Sequence, residues 1–196
     1  AFPDETLSAN GNYGRSFAKY YKANLRVGVN WSKFNNIRVF PDADADPDNN
    51  PTEIQTTESV AQSYGLNFST NYKTLPNLTL GYNFTINDNF SDVIYVDSPT
   101  VTLEYFFLDA FSFVSEYSYF HNRNKAKTID SEYDFLTASL MYQKKDSKWE
   151  WKLSGTNLLD TKSLDTNSFS QLGGTSTFSS YRVQPRFVIL SLKYTL

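Results

Sequence analysis

The chain has 196 residues, a net charge of −3, no cysteine and one histidine. That length accommodates one domain with a sizeable core, while the composition excludes disulfides, thiolate chemistry and a multi-histidine metal centre. The balanced, slightly acidic charge lacks the basic footprint of a nucleic-acid-binding protein.

Aromatic residues make up 17% of the chain, with 14 Tyr, 16 Phe and 3 Trp. The mean hydropathy of −0.48 is that of a polar protein, and no apolar run approaches the ~18 residues of a membrane helix. A membrane β-barrel also averages out as polar, because only alternate residues meet lipid. Hydropathy therefore leaves a soluble β-protein and a barrel equally open, and the alternation pattern has to separate them. The first ten residues carry neither an initiator Met nor a signal-peptide pattern, so the chain reads as a processed product or a piece of a longer protein.

In chain order, period-2 alternation predicts eight strands. Ala23, Leu25, Val27, Val29 and Trp31 alternate with polar or small residues. Val60, Tyr64, Leu66, Phe68 and Tyr72 share the next face, and Leu78, Leu80, Tyr82, Phe84 and Ile86 the third. Four more follow in 101–107, 111–119, 136–142 and 149–153. The last is the C-terminal run with Val188, Leu190, Leu192, Tyr194 and Leu196 on one parity.

The predicted connections sort by length. Those at 73–77, 109–111 and 144–148 are tight; those at 41–57, 88–99, 121–133 and 160–181 are long. Strict alternation of short and long is the habit of a transmembrane barrel, with short periplasmic turns and long extracellular loops. It places both ends of the eight-strand run on the tight-turn side. Several apolar faces run about nine residues, the length a tilted strand needs to cross hydrocarbon, and Trp31, Tyr72, Trp149 and Tyr194 sit near their ends like interfacial girdle residues. The expected fold is therefore all-β: an antiparallel outer-membrane β-barrel of about eight meandering strands. The alternative is a soluble secreted barrel or sandwich, with the apolar faces turned into a core that binds an apolar ligand.

Two stretches carry a resemblance. The terminal "RVQPRFVILSLKYTL" resembles the last strand of bacterial outer-membrane proteins, with Leu196 where Phe is usual. The upstream "WEWKLSGTNLLDTKSL" is similar to the penultimate strand of TonB-dependent receptors of the Bacteroidota, through Asn157, Leu158, Leu159 and Asp160; Ser163 lies in the region where that family commonly has Tyr. The resemblance implies the C-terminal portion of a SusC-like receptor: a nutrient transporter with no catalysis and no cofactor. Implied partners are outer-membrane lipid, the barrel assembly machinery and, through parts of a parent receptor, TonB and a surface lipoprotein. The terminal apolar parity, Val188 to Leu196, would be the membrane-insertion signal. Residues 1–196 would then be one barrel domain or a barrel fragment without a plug. A free-standing eight-stranded barrel with a structural or adhesive role remains the second reading.

Three groups of residues are candidates for chemistry. Inward-parity Glu104, Glu116, Glu150 and Lys152 would set the field of a lumen or form a structural network. Asp42, Asp44, Asp46, Asp48, Asn50 and Glu53 have the spacing of a calcium loop. Pro47 stands where that loop requires glycine, however, so a solvated acidic loop is the favoured reading and no metal is expected. His121 would need an adjacent serine to act as a hydrolase base, and no such arrangement stands out.

Overall fold

The computed structural model describes residues 4–39, 52–89, 92–170 and 175–195. It contains β-strands and no helix among these residues. The strands are β1 (Glu5–Phe17), β2 (Tyr21–Val39), β3 (Thr52–Thr70), β4 (Asn77–Asn89), β5 (Asp92–Phe107), β6 (Phe111–Asn124), β7 (Asp130–Tyr142), β8 (Trp149–Thr156), β9 (Ser163–Ser170), β10 (Thr175–Arg182) and β11 (Phe187–Tyr194). Nine of them form one antiparallel meander in the order β1-β2-β3-β4-β5-β6-β7-β8-β11. β9 and β10 form a separate hairpin between β8 and β11.

The eight predicted strands all exist, but the count is corrected to nine plus a hairpin. β1 escapes the alternation because its outward parity carries Arg15 and Gly11 among Leu7, Ala9, Tyr13 and Phe17, and only the thirteen-residue ladder with β2 reveals it. With β1 added, the sheet begins at the long-connection end and not at the tight-turn end. The segment 160–181, read as a loop, contains the β9–β10 ladder, whose Ser- and Thr-rich sequence shows no apolar parity. Two other predicted long loops shrink to hairpin tips. β4 and β5 pair out to Asn89 and Asp92, and β6 and β7 out to Arg123 and Asp130.

The tight turns are built by local chemistry. The connections 18–20 and 108–110 are three residues long, with Phe17 opposite Tyr21 and Phe107 opposite Phe111. In each the first two residues have positive φ without glycine (Ala18 47°, Lys19 62°, Leu108 53°, Asp109 53°). At 71–76 the Asn77 side chain closes the turn, accepting from Tyr72 N at 2.5 Å and donating to Tyr72 O at 3.1 Å. Tyr72 also donates its hydroxyl to Tyr21 at 2.6 Å, and this bond is the chief cause that lifts the Tyr72 pKa above the ordinary tyrosine value.

Candidate functional site: the two faces of the sheet

Among the described residues no hydrophobic side chain is fully buried. The apolar parity of each strand of the nine-stranded sheet lies instead on one face of that single layer, where cross-strand partners pair like with like. One register row reads Ala23, Phe68, Leu80, Val101, Tyr117 and Leu136 across β2 to β7. Another reads Tyr105, Phe113, Leu140, Leu153 and Leu190 across β5 to β11. These side chains are partly or largely open to the surroundings: Leu190 is 66% exposed and Leu153 46%.

The apolar band slants. On β2 it runs from Tyr21 to Trp31, and the first outward charge, Lys33, lies ten residues above Ala23. On β7 it runs from Tyr142 to Leu136, and the first outward acid, Asp134, lies two residues above Leu136, in the same row as Ala23. The upper edge therefore drops eight residues over five strand steps. The lower edge drops four, since Tyr21 is two residues below the row and Tyr142 six. With ~3.3 Å per residue and ~4.8 Å per strand, the band is inclined at roughly 30–50° to the strand normal. Transmembrane strands tilt by roughly 35–45°. Projected at that tilt, the band is about 25 Å tall on β2, the height of an outer-membrane apolar belt.

Aromatic rings mark both edges of the band. At the tight-turn end Phe17 stacks on Tyr21 at 5.7 Å, Phe107 on Phe111 at 5.3 Å, and Trp149 meets Tyr194 at 4.6 Å. At the opposite edge three tyrosines repeat one geometry. Tyr82 donates to Asp97 at 2.5 Å, Tyr119 to Glu132 at 2.8 Å and Tyr117 to Asp134 at 3.5 Å. Each hydroxyl reaches one diagonal step towards the long-connection end, from an apolar ring below to a carboxylate above.

His121 lies in this upper rim. Arg123 Nη1 donates to its Nδ1 at 2.9 Å and to Asp97 Oδ2 at 2.5 Å. Guanidinium has no acceptor, so the imidazole accepts at Nδ1 and donates from Nε2 to Asp130 Oδ1 at 2.6 Å. Both ring nitrogens are thus engaged, and the residue links β5, β6 and β7.

The opposite parity is polar over β1 to β4 and mixed further on, where it also carries Phe106, Val114, Phe120, Phe135 and Ile189. Its concavities of about 460 Å³ and 240 Å³ lie over β1 to β5 and are lined mainly by Asn, Ser, Thr and Gly, including Asn10, Asn24, Asn67, Asn83 and Thr100. Glycine leaves room for these polar side chains to lie across the neighbouring strand: a Cβ at Gly28 would stand 2.6 Å from both Asn10 Oδ1 and Ser63 Oγ, and both tips would have to shift.

The four lumen candidates all fall on this face but do not form one cluster. Glu104 and Glu116 are diagonal neighbours on β5 and β6, opposite Val114 and Thr102 respectively, and both are exposed. Lys152 stands three strands from Glu104, between Met141 and Ser191. Glu150 instead pairs with Lys193 at 3.8 Å. Of the calcium-loop residues, Asp42, Asp44, Asp46, Asp48 and Asn50 lie outside the described residues. Glu53 falls in β3 opposite Arg38. Val188, Leu190, Leu192 and Tyr194 lie on the apolar face of β11, and Leu196 is outside the described residues.

Asn157 has a role the sequence did not disclose. It is 1% exposed with φ 51°. Its Nδ2 donates to Thr161 O and Gln184 O, both at 2.8 Å, and its Oδ1 accepts from Thr161 N at 2.9 Å. Leu158 N donates to Leu136 O, and Thr161 Oγ1 to Asp134 O. The stretch is a knot tying the base of the β9–β10 hairpin to β7 and to the approach of β11. Leu158 lies over Gly155 in the apolar-face row Ala138, Gly155, Val188. The turn that begins at Asn157 breaks the alternation there.

Fold and faces together define an antiparallel β-meander with an apolar outer band and an inner face that is polar over β1 to β4 and mixed further on. No family model matches the chain, and no curated protein matches it. Among solved structures the chain is similar to OmpT (in-vitro folded), an outer membrane protein of Vibrio cholerae, with 11% identity and a TM-score of 0.45. The match covers 95% of this chain and 64% of that one, so the chain spans less than two thirds of that protein's length.

Proposed function

We propose that the chain is a stretch of wall in an outer-membrane β-barrel, with its apolar band against lipid and its opposite face lining the lumen. The observation that carries this reading is the slanted apolar band. Strand tilt is shared with soluble barrels, so what separates the two readings is that the slanted band lies on the face opposite the concavities. The alternative of a soluble barrel requires the apolar parity to point into a core, yet that parity is opposite the concave face and partly or largely open. Outer-membrane lipid, and the assembly machinery that inserts barrels through the terminal strand, are the partners this reading requires.

The finer assignment is a TonB-dependent receptor for nutrient uptake. It rests on the resemblance of 149–164, and it makes Glu104, Glu116 and Lys152 part of the solute pathway. Asn157 supports it to this extent: one of the four residues that carry the resemblance is the one that organises the long-connection end of β8. Disrupting the gene and following uptake of candidate nutrients, with and without a proton uncoupler, tests the assignment. Energy-dependent uptake lost on disruption supports it; uptake indifferent to the uncoupler removes TonB while leaving the barrel.

A further inference from the structure

The meander alternates direction at every step, and it has nine strands. β1 and β11 therefore run the same way. Among the described residues, the outer edge of each has no strand partner. Within hydrocarbon such an edge leaves a row of N–H and C=O groups without water, a cost of several kcal/mol per group. Both edges pass through the apolar band, at Leu7 to Tyr13 on β1 and at Val188 to Tyr194 on β11.

Two ways of covering them fail on direction. Direct closure of β1 onto β11 would set two parallel strands side by side, whereas single-chain outer-membrane barrels are antiparallel throughout with an even count. A second copy in the same membrane orientation offers its β11 to the first copy's β1, again in parallel, and does so at both junctions.

We infer that the two edges are joined by a further β-meander of the same polypeptide with an odd number of strands. This rests on the membrane-wall reading above. The strand beside β1 and the strand beside β11 both run opposite to them. Both present apolar residues on the parity of Ala9 and Leu190 and polar residues on the parity of Asn10 and Ser191. Assignment to one polypeptide follows the rule of the sheet itself, in which every junction from β1 to β8 joins strands consecutive in the chain.

These 196 residues hold no cysteine, and any cysteine elsewhere in the polypeptide is first replaced by serine. Single cysteines at Ser8, Asn10 or Asn12 are combined with one at Ile189, Ser191 or Lys193, and the protein is oxidised in its native outer membrane. The pair Ser154→Cys with Ile189→Cys, register partners on β8 and β11, is the control. The expected result is a bond in the control pair and none from β1 to β11, within or between chains. Hydrogen exchange in the same membranes should find 5–17 and 187–194 as protected as 111–124. An intramolecular β1–β11 bond, a covalent dimer through those edges, or exchange of both edge strands within seconds overturns the inference. A strand count of the native barrel tests the same point: an even total supports the inference and an odd total overturns it. Extraction of the protein by alkaline carbonate without detergent would instead remove the membrane reading on which it rests.

Discussion

Tyr119 donates its hydroxyl to Glu132 Oε2 across the β6–β7 ladder at 2.8 Å. Its ring belongs to the apolar band and its oxygen to the charged rim, so this bond lies on the boundary between the two. Tyr117 with Asp134 marks the same boundary on the same two strands, and Tyr82 with Asp97 marks it on β4 and β5. Removing the hydroxyl in Tyr119→Phe should cost about 1 kcal/mol. The cost should nearly vanish in a Glu132→Ala background, where the acceptor is already gone. A double-mutant cycle by urea unfolding in micelles measures that coupling, and additive costs would dissociate the pair.

Asn157 serves three backbone groups from a fully buried site. Asn157→Ala leaves Thr161 N, Thr161 O and Gln184 O without this partner and should destabilise the protein by at least about 2 kcal/mol. Asn157→Gly relaxes the positive φ but restores none of the bonds, so it should recover less than half of the loss. Recovery to wild-type stability by glycine would mean that backbone conformation, and not the hydrogen bonds, is what the position requires.

The turn at 108–109 holds two non-glycine residues at positive φ, each at a cost of roughly 1 kcal/mol. Replacing Leu108 and Asp109 by Asn and Gly supplies residues that enter this region readily. The variant should unfold at higher denaturant, by about 1 kcal/mol or more. Leu108 is 78% exposed, so little packing is lost. An unchanged or lower midpoint would show that Leu108 makes contacts in the assembled barrel.

Face determines tolerance of charge. Leu190→Arg, in the middle of the outer band on β11, should cost about 2–4 kcal/mol in bilayers, whereas Ser191→Arg on the inner face should cost under about 1 kcal/mol. Equal costs at the two neighbours would contradict the assignment of faces.

The sequence makes the fold legible where alternation is strong. β2 and β11 carry unbroken apolar parities, and their extent is close to the predicted one. β1 stays hidden because Arg15 and Gly11 interrupt its pattern, and pairing with the strong β2 strand holds it in register. The β9–β10 hairpin stays hidden because both of its faces are polar. The long-connection tips fail differently: Asp92 to Asp97 and Asn122 to Asn124 look like loop because the strands continue past the apolar band, where alternation ends but hydrogen bonding does not. As for the site, the inner parity of Glu104, Glu116, Glu150 and Lys152 is readable from the strands alone. The tyrosine–carboxylate diagonals are not, since they depend on a cross-strand register that no single strand encodes. A tyrosine at a predicted strand end facing an acid near the start or end of the next strand was the available signal.

The central claim is that the apolar parity of this sheet faces lipid. Nitroxide labels placed one at a time along β11, from Phe187 to Tyr194, and read in bilayers for collision with oxygen and with a nickel chelate, test it directly. A period of two is expected. Positions 188, 190, 192 and 194 should be accessible to oxygen, and 187, 189, 191 and 193 to the water-soluble chelate. Accessibility without that period, or oxygen favouring the odd positions, would contradict it.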